Sequence, residues 1–441
     1  MARRRTHAPL CVFLNSRRVG ALRRESTGAI DFQYAGEWLD WENTFPVSLS
    51  LPLREERYIG APVINVFDNL LPDSDAIRKR VAERVGAGGT DAYSLLTALG
   101  HDCVGALQFL PEGVDPGRAG TVDGNPVTSD HIAAIVNNLA AAPLGMSEDE
   151  DFRISIAGAQ EKTALLRKDG EWFKPAGSNA TTHILKPQIG RLPNGIDLSH
   201  SVENEYLCLR LLAALGVPTA QTEIADFGNR RTLIVERFDR RWTRDGRLLR
   251  LPQEDMCQAL SVPPTRKYQS DGGPGMRDVI QLLKGSDTPE QDIATFMRAC
   301  VLFWMLGATD GHAKNFSITL GPGGRFRLTP LYDVLTAQPS LDSGQIQHKK
   351  FKLAMSVGKN RHYPVDEIMP RHFLQTAELA GVGTPLMRSL FEDLAANAVG
   401  RIDAVMASLP AGFPDQLVTS IEAAVRRRAR LLGEHGAIIR A

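Results

Sequence analysis

Residues 8–53 alternate apolar and polar around Gly and Pro, with Leu10 to Leu14 and Val47-Ser-Leu-Ser-Leu51 as the strand candidates. This is the period of a half-buried strand. Phe67-Asp-Asn-Leu-Leu-Pro-Asp-Ser74 interrupts with turn residues, and Ala76 to Val85 takes up a helical period. Together these pieces predict a small α+β module over residues 1–110, with Asp68 and Asp73 as helix caps. Pro, Gly and Asp then crowd residues 111–130, and an acidic run follows at Ser147-Glu-Asp-Glu-Asp151. Residues 111–150 therefore read as a linker with a connecting helix.

From Asp151 the texture changes. Strands are expected at Phe152-Arg-Ile-Ser-Ile156, Thr163 to Arg167, Glu171-Trp-Phe-Lys174, Thr182-His-Ile-Leu-Lys186 and Thr232-Leu-Ile-Val-Glu236. Asp169-Gly170 supplies a tight hairpin turn. One helix, Glu203 to Leu215, sits among them and stops at Gly216. Residues 151–240 thus form a candidate nucleotide-binding lobe. Beyond Pro252 strand signals nearly vanish. Asp271-Gly-Gly-Pro-Gly275 is a loop, and Met276 to Lys284, Asp292 to Leu306, Pro385 to Ala407 and Pro414 to Leu432 carry helical periodicity. Residues 241–441 are expected to be a mostly helical lobe.

Composition narrows the function classes. Lys+Arg and Asp+Glu both number 51, so no global field draws the chain to nucleic acid or membrane. The basic runs Arg3-Arg4-Arg5 and Arg426-Arg427-Arg428 with Arg430 read first as a chain end and a solvated helix face. Five cysteines, widely spaced and without Cys-x-x-Cys, fit reduced buried thiols rather than a disulfide framework or a zinc site. Neither a signal peptide nor a membrane span is legible, which points to a cytoplasmic protein.

The candidate chemistry centres on Asp310-Gly-His-Ala-Lys-Asn315 and Tyr332-Asp333. The Asn lies five positions after the first Asp, and the second Asp lies eighteen further on. In kinase-like phosphotransferases one Asp orients and deprotonates the acceptor hydroxyl, while an Asn and a second Asp hold Mg²⁺ at the nucleotide phosphates. Upstream, Ala157-Gly-Ala-Gln-Glu-Lys162 joins two expected strands with small residues that let backbone N–H groups approach a phosphate. It is neither Gly-x-x-x-x-Gly-Lys-Ser/Thr nor Gly-x-Gly-x-x-Gly. Lys186 lies on a strand ahead of a helix that carries Glu203 and Glu205, and either Glu is a candidate partner. Val235-Glu-Arg-Phe238 sits where a hinge is expected. Taken singly, each piece also fits a structural role: a hairpin, a strand-edge lysine, a core phenylalanine. Their order along the chain is that of a kinase.

Several long strings resemble the HipA family of bacterial type II toxin–antitoxin kinases. They are Phe67–Ser74, Asp151-Phe-Arg-Ile-Ser-Ile-Ala-Gly-Ala-Gln-Glu-Lys-Thr163, Val235-Glu-Arg-Phe-Asp-Arg-Arg-Trp242, Leu251-Pro-Gln-Glu-Asp-Met-Cys257, Gly307-Ala-Thr-Asp-Gly-His-Ala-Lys-Asn-Phe-Ser317 and Tyr332-Asp333. The resemblance implies a two-lobed protein-kinase-like α+β fold with an added N-terminal module, and a serine/threonine kinase using ATP and Mg²⁺. It implies Asp310 as the catalytic residue, with Asn315 and Asp333 on the metal. Nucleotide contacts are implied for Ala157, Gly158, Ala159, Gln160, Glu161, Lys162, Lys186, Glu236, Arg237, Phe238, His312, Ala313, Lys314, Asn315, Tyr332 and Asp333. It also implies autophosphorylation at Ser155 as an off-switch, because a phosphate there competes with the nucleotide's own. The implied target is an aminoacyl-tRNA synthetase, typically the glutamyl enzyme. The implied partner is a helix-turn-helix antitoxin dimer (HipB-like) that holds the kinase at operator DNA, and hence at the nucleoid. Glu378 and Gly381 stand where the family pattern is basic, so DNA contact is expected mainly through the antitoxin. Two rival classes remain: an antitoxin- and DNA-binding corepressor with little kinase flux, and a small-molecule ATP phosphotransferase.

Overall fold

The structure is a computed structural model that describes residues 7–139, 144, 154–158 and 160–440. Arg3–Arg5, the acidic run 147–151, the start of the strand expected at 152–156, and Ala159 lie outside the described residues. The chain divides into two compact units. The first holds Met1–Pro187, Ala225–Thr265 and Ile318–Phe326; the second holds Gln188–Ile224, Arg266–Ser317 and Arg327–Ala441.

The first unit contains two large sheets and smaller ones, among them the pair Arg240–Trp242 with Leu248–Arg250. In the N-terminal one, strands follow the order Tyr58–Ile59, Ile30–Tyr34, Arg17–Arg24, Leu10–Leu14 and Leu107–Pro111, antiparallel throughout. Its core is aromatic: Phe67 meets the edges of Phe32 and Phe109, each at 5.4 Å between centroids. Phe67, Leu70 and Leu71 are buried, so the turn-rich string around them is also a core anchor.

Val47–Leu51, expected as a strand, is not one. The Val47 N–H donates to the Tyr34 hydroxyl at 3.0 Å, the Leu49 N–H donates to Glu254 Oε1 at 2.8 Å, and Leu51 closes a turn on Ser48. Side chains satisfy this backbone in place of a neighbouring strand, and the alternation merely records which residues face the core. Neither Asp68 nor Asp73 stands at the N-cap position of a helix. Asp68 pairs with Arg78 at 2.7 Å, and Ser74 caps the helix Asp75–Arg84.

In the second sheet, neighbours follow the order Arg230–Glu236, His183–Pro187, Thr163–Lys168, Glu171–Pro175 and Gly124–Val127. The Asp169-Gly170 turn has φ of 52° and 84°, as a two-residue hairpin requires. Part of the segment read as linker belongs here. Gly124–Val127 is a strand on Glu171–Pro175, and Ile132 and Val136 of the helix Ser129–Asn137 pack on Leu165, Leu185 and Ile234. Its Pro and Gly content hides an edge strand, the one place in a sheet where Pro126 is tolerated. Ile154 forms an isolated bridge to Asp102, and residues 155 and 156 add no strand.

The second unit is mainly helical, with Ser201–Ala214, Met276–Leu283, Pro289–Leu306, Pro370–Leu379, Thr384–Ala407 and Asp415–Arg440. The expected helices are present, two of them longer than their apolar periods indicated. Short strands persist past Pro252, among them Gln253–Asp255 and the hairpin Lys352–Val357 with His362–Pro364. The helix carrying Glu203 and Glu205 falls in this unit, whereas Lys186 falls in the first. Among the described residues no helix is long and apolar enough to cross a membrane.

Candidate active site

The Asp310 loop is built on the end of the buried helix Pro289–Leu306. That helix stops at Gly307, whose φ of 71° is a left-handed cap, and the Ala308 N–H donates back to Phe303 at 2.8 Å. A side chain at Gly307 would also strike the Phe351 ring at 2.6 Å. Gly311 lies so close to Phe303 that a Cβ would sit 2.3 Å from its ring. The Gly of the Asp-Gly-His string is therefore a packing requirement. Phe316, buried against Phe296 and Phe303 at 4.9 and 5.6 Å, fastens the far end of the loop.

Between these anchors the polar groups converge. The Asn315 side-chain amide donates to the Asp310 carbonyl at 2.7 Å and to the Asp333 carbonyl at 3.4 Å. With its nitrogen so engaged, Oδ1 of Asn315 is left as the side chain's acceptor. Asp333 has φ of 59°, a left-handed conformation uncommon outside glycine, at the position where a ligand carboxylate is expected. Its neighbour Leu331 is held by backbone bonds to Pro218 and Ala220, both at 2.8 Å. Tyr332 donates to the Lys314 carbonyl at 3.0 Å and meets the Ser317 hydroxyl. His312 is buried, with Nε2 3.8 Å from Asp310 Oδ1. Asp310 itself is 53% exposed in its side chain. One short stretch of chain thus gathers Asp310, His312, Ala313, Lys314, Asn315, Tyr332 and Asp333. Among the described residues no group of three or more His, Cys, Asp and Glu could hold a metal. An Asn oxygen and an Asp carboxylate are hard donors that suit Mg²⁺, an ion that draws its remaining ligands from phosphates and water.

The remaining site residues lie in the first unit. Lys162 Nζ donates to the Ala157 carbonyl at 2.7 Å and so closes the small-residue loop on itself. Gly158 has φ of 110°, and a Cβ there would meet Lys162 Nζ at 2.5 Å. The loop is tied to the N-terminal module: Asp73 N–H donates to the Gly158 carbonyl at 3.1 Å, and Arg80 pairs with Glu161 at 2.7 Å. Gln160 donates to the Pro187 carbonyl at 3.1 Å, just beyond Lys186. Lys186 is buried and alternates with Leu185, so it faces away from the Leu185 core. Ser155 is fully buried.

At the expected hinge, Glu236 is exposed and Phe238 half-buried, but Arg237 takes a different role. It grips Asp239 with two bonds of 3.0 and 2.8 Å and reaches Thr181 and the Cys103 carbonyl, both at 2.8 Å. Asp102 is the centre of this buried cluster, 3.3 Å from Arg237, 2.8 Å from Arg240 and 2.9 Å from Arg250. Burial alone would raise the Asp102 carboxyl, but Arg240, Arg250 and Arg237 together hold it below the usual carboxylate range. Burial pushes Arg240 down to about 10 and, with Asp102 beside it, pushes the Cys103 thiol up to about 12. The side chain of Arg237 is thus committed to the fold and not turned to a ligand. Sequence reasoning passed over Asp102; its only signal was the density of Arg in Arg237-Phe-Asp-Arg-Arg241, which needs counter-charges somewhere.

Residues 154–402 match the HipA-like C-terminal domain, and residues 10–110 match the HipA N-terminal domain. The chain belongs to the HipA family. A putative kinase of Sinorhizobium fredii, Y4mE, is 39% identical over 402 residues, which is 89% of this chain and 91% of that one. The serine/threonine-protein kinase toxin HipA of Shewanella oneidensis is 29% identical over 332 residues, 72% of each chain. A solved Shewanella oneidensis HipA, in complex with HipB and operator DNA, is similar at a TM-score of 0.80 and 24% identity, over 96% of this chain and 97% of that one. The fold is therefore α+β and protein-kinase-like, with an N-terminal HipA domain. As a HipA-family serine/threonine protein kinase the chain uses ATP.

Two basic features take their final form here. Glu378 pairs with Lys359 at 3.2 Å on an exposed face. The Arg426–Arg430 run is not one solvated face: Arg428 is buried, donating to the Met305 carbonyl and to Gln338, both at 3.0 Å. Arg426 is neutralised by Asp403 and Glu422, and Arg427 lies 3.5 Å from Asp366. That Arg428 turns inward to these acceptors is something a run of like charges in sequence does not disclose.

Proposed function

We propose that this chain is the toxin kinase of a toxin–antitoxin module, transferring the γ-phosphate of ATP to a serine or threonine of an aminoacyl-tRNA synthetase, the glutamyl enzyme foremost. Such a transfer starves translation and favours dormancy. The observation that supports the site assignment most is the Asn315 amide, bonded to the carbonyls of both Asp310 and Asp333, which fixes the three residues relative to one another. Asp310 accepts the proton of the acceptor hydroxyl. Asn315 Oδ1 and the Asp333 carboxylate are the residues that would hold Mg²⁺. When bound, that ion neutralises charge building on the nucleotide phosphates. Backbone groups of 157–162, with Lys162 and Lys186, steady those phosphates. Glu236 and Phe238 flank the base, and His312, Ala313, Lys314 and Tyr332 line the phosphate side.

On this reading the partner is a HipB-like helix-turn-helix antitoxin dimer, and operator DNA is met mainly through it; the solved Shewanella oneidensis HipA, in complex with HipB and operator DNA, supports the pairing. The neutralised surroundings of Arg426 and Arg427 support that division of labour. Autophosphorylation at Ser155 switches the enzyme off. Incubation with labelled ATP and Mg²⁺, alone and with candidate synthetases, tests the assignment beside Asp310→Asn. Wild type should label itself and the glutamyl enzyme. A wild type that labels neither, or an Asp310→Asn variant that labels equally, overturns it.

A further inference from the structure

The Asp310 carboxylate has a neighbour that the kinase pattern does not contain. The Tyr268 hydroxyl donates to Asp310 Oδ1. The Tyr268 ring stands edge-on to His312, 4.9 Å between centroids and 88° between planes, and Lys267 lies 5.7 Å from its centre. A carboxylate only accepts hydrogen bonds, so the tyrosine hydroxyl is the donor in this pair.

Tyr268 is held from both sides. Behind it, the Ala313 N–H donates to the Lys267 carbonyl at 3.3 Å, joining the tyrosine's segment to the Asp310 loop. Ahead of it, the Asp271-Gly-Gly-Pro-Gly275 string folds back: the N–H groups of Asp271 and Gly273 donate to the Tyr268 carbonyl at 3.1 and 3.0 Å. A Cβ at Gly273 would lie 1.9 Å from the Arg266 carbonyl oxygen, so the turn closes only with glycine there, and one at Gly275 would lie 2.2 Å from the Gln269 side-chain amide and displace it. Gln269 Oε1 in turn accepts from the Ser356 N–H at 2.6 Å and from its hydroxyl at 2.9 Å. The glycine-rich string, which the kinase chemistry leaves without a role, thus braces one side chain.

We propose that Tyr268 is a positioning residue for phosphoryl transfer: its hydroxyl fixes the Asp310 carboxylate so that the same rotamer meets every acceptor. This rests on Asp310 being the proton acceptor. In the step itself the acceptor oxygen bonds to the γ-phosphorus, and the bond from that phosphorus to the β,γ-bridging oxygen breaks. ADP leaves with the electron pair, and the acceptor's proton passes to Asp310. Tyr268 gains and loses nothing. Its effect is on the fraction of time that the base is in place, a positioning effect of the kind to which rates are sensitive.

Tyr268→Phe keeps the ring on His312 and removes only the hydroxyl. With the full chain, kcat for protein phosphorylation should fall about tenfold or more, within the span that a general base contributes. The KM for ATP and the thermal midpoint should stay at wild-type values. Asp310→Asn, run alongside, separates the two levels. If it is inactive while Tyr268→Phe turns over at the wild-type rate, the positioning role is wrong and the Asp310 assignment stands. If Asp310→Asn is fully active, the assignment beneath falls and the proposal with it. A lower kcat that comes with a raised KM and a lowered thermal midpoint makes Tyr268 a structural residue and overturns the proposal.

Discussion

The Ser155 hydroxyl donates to the Leu70 carbonyl at 2.7 Å, while the Ser155 N–H donates to the Asp102 carbonyl at 2.9 Å. The residue proposed as the off-switch is therefore locked into the N-terminal module, out of reach of any nucleotide, until its segment comes out. A phosphate with charge near −2 does not fit where a buried hydroxyl meets a carbonyl, so modification holds the segment out once it has left. Ser155→Ala should abolish autophosphorylation at this site, leave the kinase active, and lower stability by about 1 kcal/mol for the lost bond. Ser155→Glu should be inactive, with faster hydrogen exchange over 155–162. Mass spectrometry and exchange rates read both, and an active Ser155→Glu would sink the switch.

The Asp102 cluster makes a second, purely structural prediction. Asp102 and Asp239 face three arginines in a buried space, and Asp102 touches all three. Asp102→Asn leaves the guanidinium groups with one carboxylate and should destabilise by about 3–5 kcal/mol, the usual result of breaking a buried pair from one side. The Asp102 carboxyl is held low in the folded state, so its contribution is present above the unfolded carboxylate range and fades as pH falls through the folded value. Urea melts at neutral pH and under strong acid should show the variant's deficit shrinking in acid. A deficit that stays constant contradicts the ion-cluster account.

How much of this was legible in the sequence depends on the range of the interaction. Local patterns were readable: the hairpin at Asp169-Gly170 and the helix stop at Gly216 each follow from a few consecutive residues, and the Asp310–Asn315–Asp333 spacing from one short region of chain. Val47–Leu51 misled because its partner groups, Tyr34 and Glu254, come from 13 and 205 residues away. The anchoring of the Arg237 side chain was not legible, because Asp102 lies 135 residues upstream. Tyr268 was invisible for the same reason, being 42 residues from Asp310. Periodicity reports which face is buried and not which polar group waits there.

Glu254 supplies a pH prediction. It is buried, with Oε1 accepting from the Leu49 N–H at 2.8 Å, and burial pushes its carboxyl up to about 8. Below the unfolded value of 4.5 the group is protonated in both states and its contribution is intact. Between there and about 8 only the unfolded chain ionises, so stability declines as pH rises through that window. Glu254→Gln keeps the acceptor for Leu49 and removes the slope. Against wild type, the variant should gain of order a few kcal/mol on going from pH 5 to pH 8. Equal pH dependence of the two urea midpoints would show that Glu254 ionises freely in the fold.

Asn315→Asp distinguishes orientation from charge at the proposed metal position. If the site needed only oxygen and negative charge, aspartate would bind Mg²⁺ at least as well as asparagine. But the Asn315 side-chain nitrogen donates to the carbonyls of Asp310 and Asp333, and aspartate has no N–H to give. Its second oxygen would instead face two carbonyl oxygens in a site that is 4% exposed. The carboxylate is then driven to turn away, and both Asp310 and Asp333 lose the link that sets them. The expected result is a fall in kcat of about a hundredfold, comparable to losing one preorganised group of a catalytic set. The apparent Mg²⁺ affinity in a kinase titration should weaken with it. If Asn315→Asp instead binds the ion more tightly and keeps its turnover, the amide's two hydrogen bonds are incidental and the site is held together by charge alone.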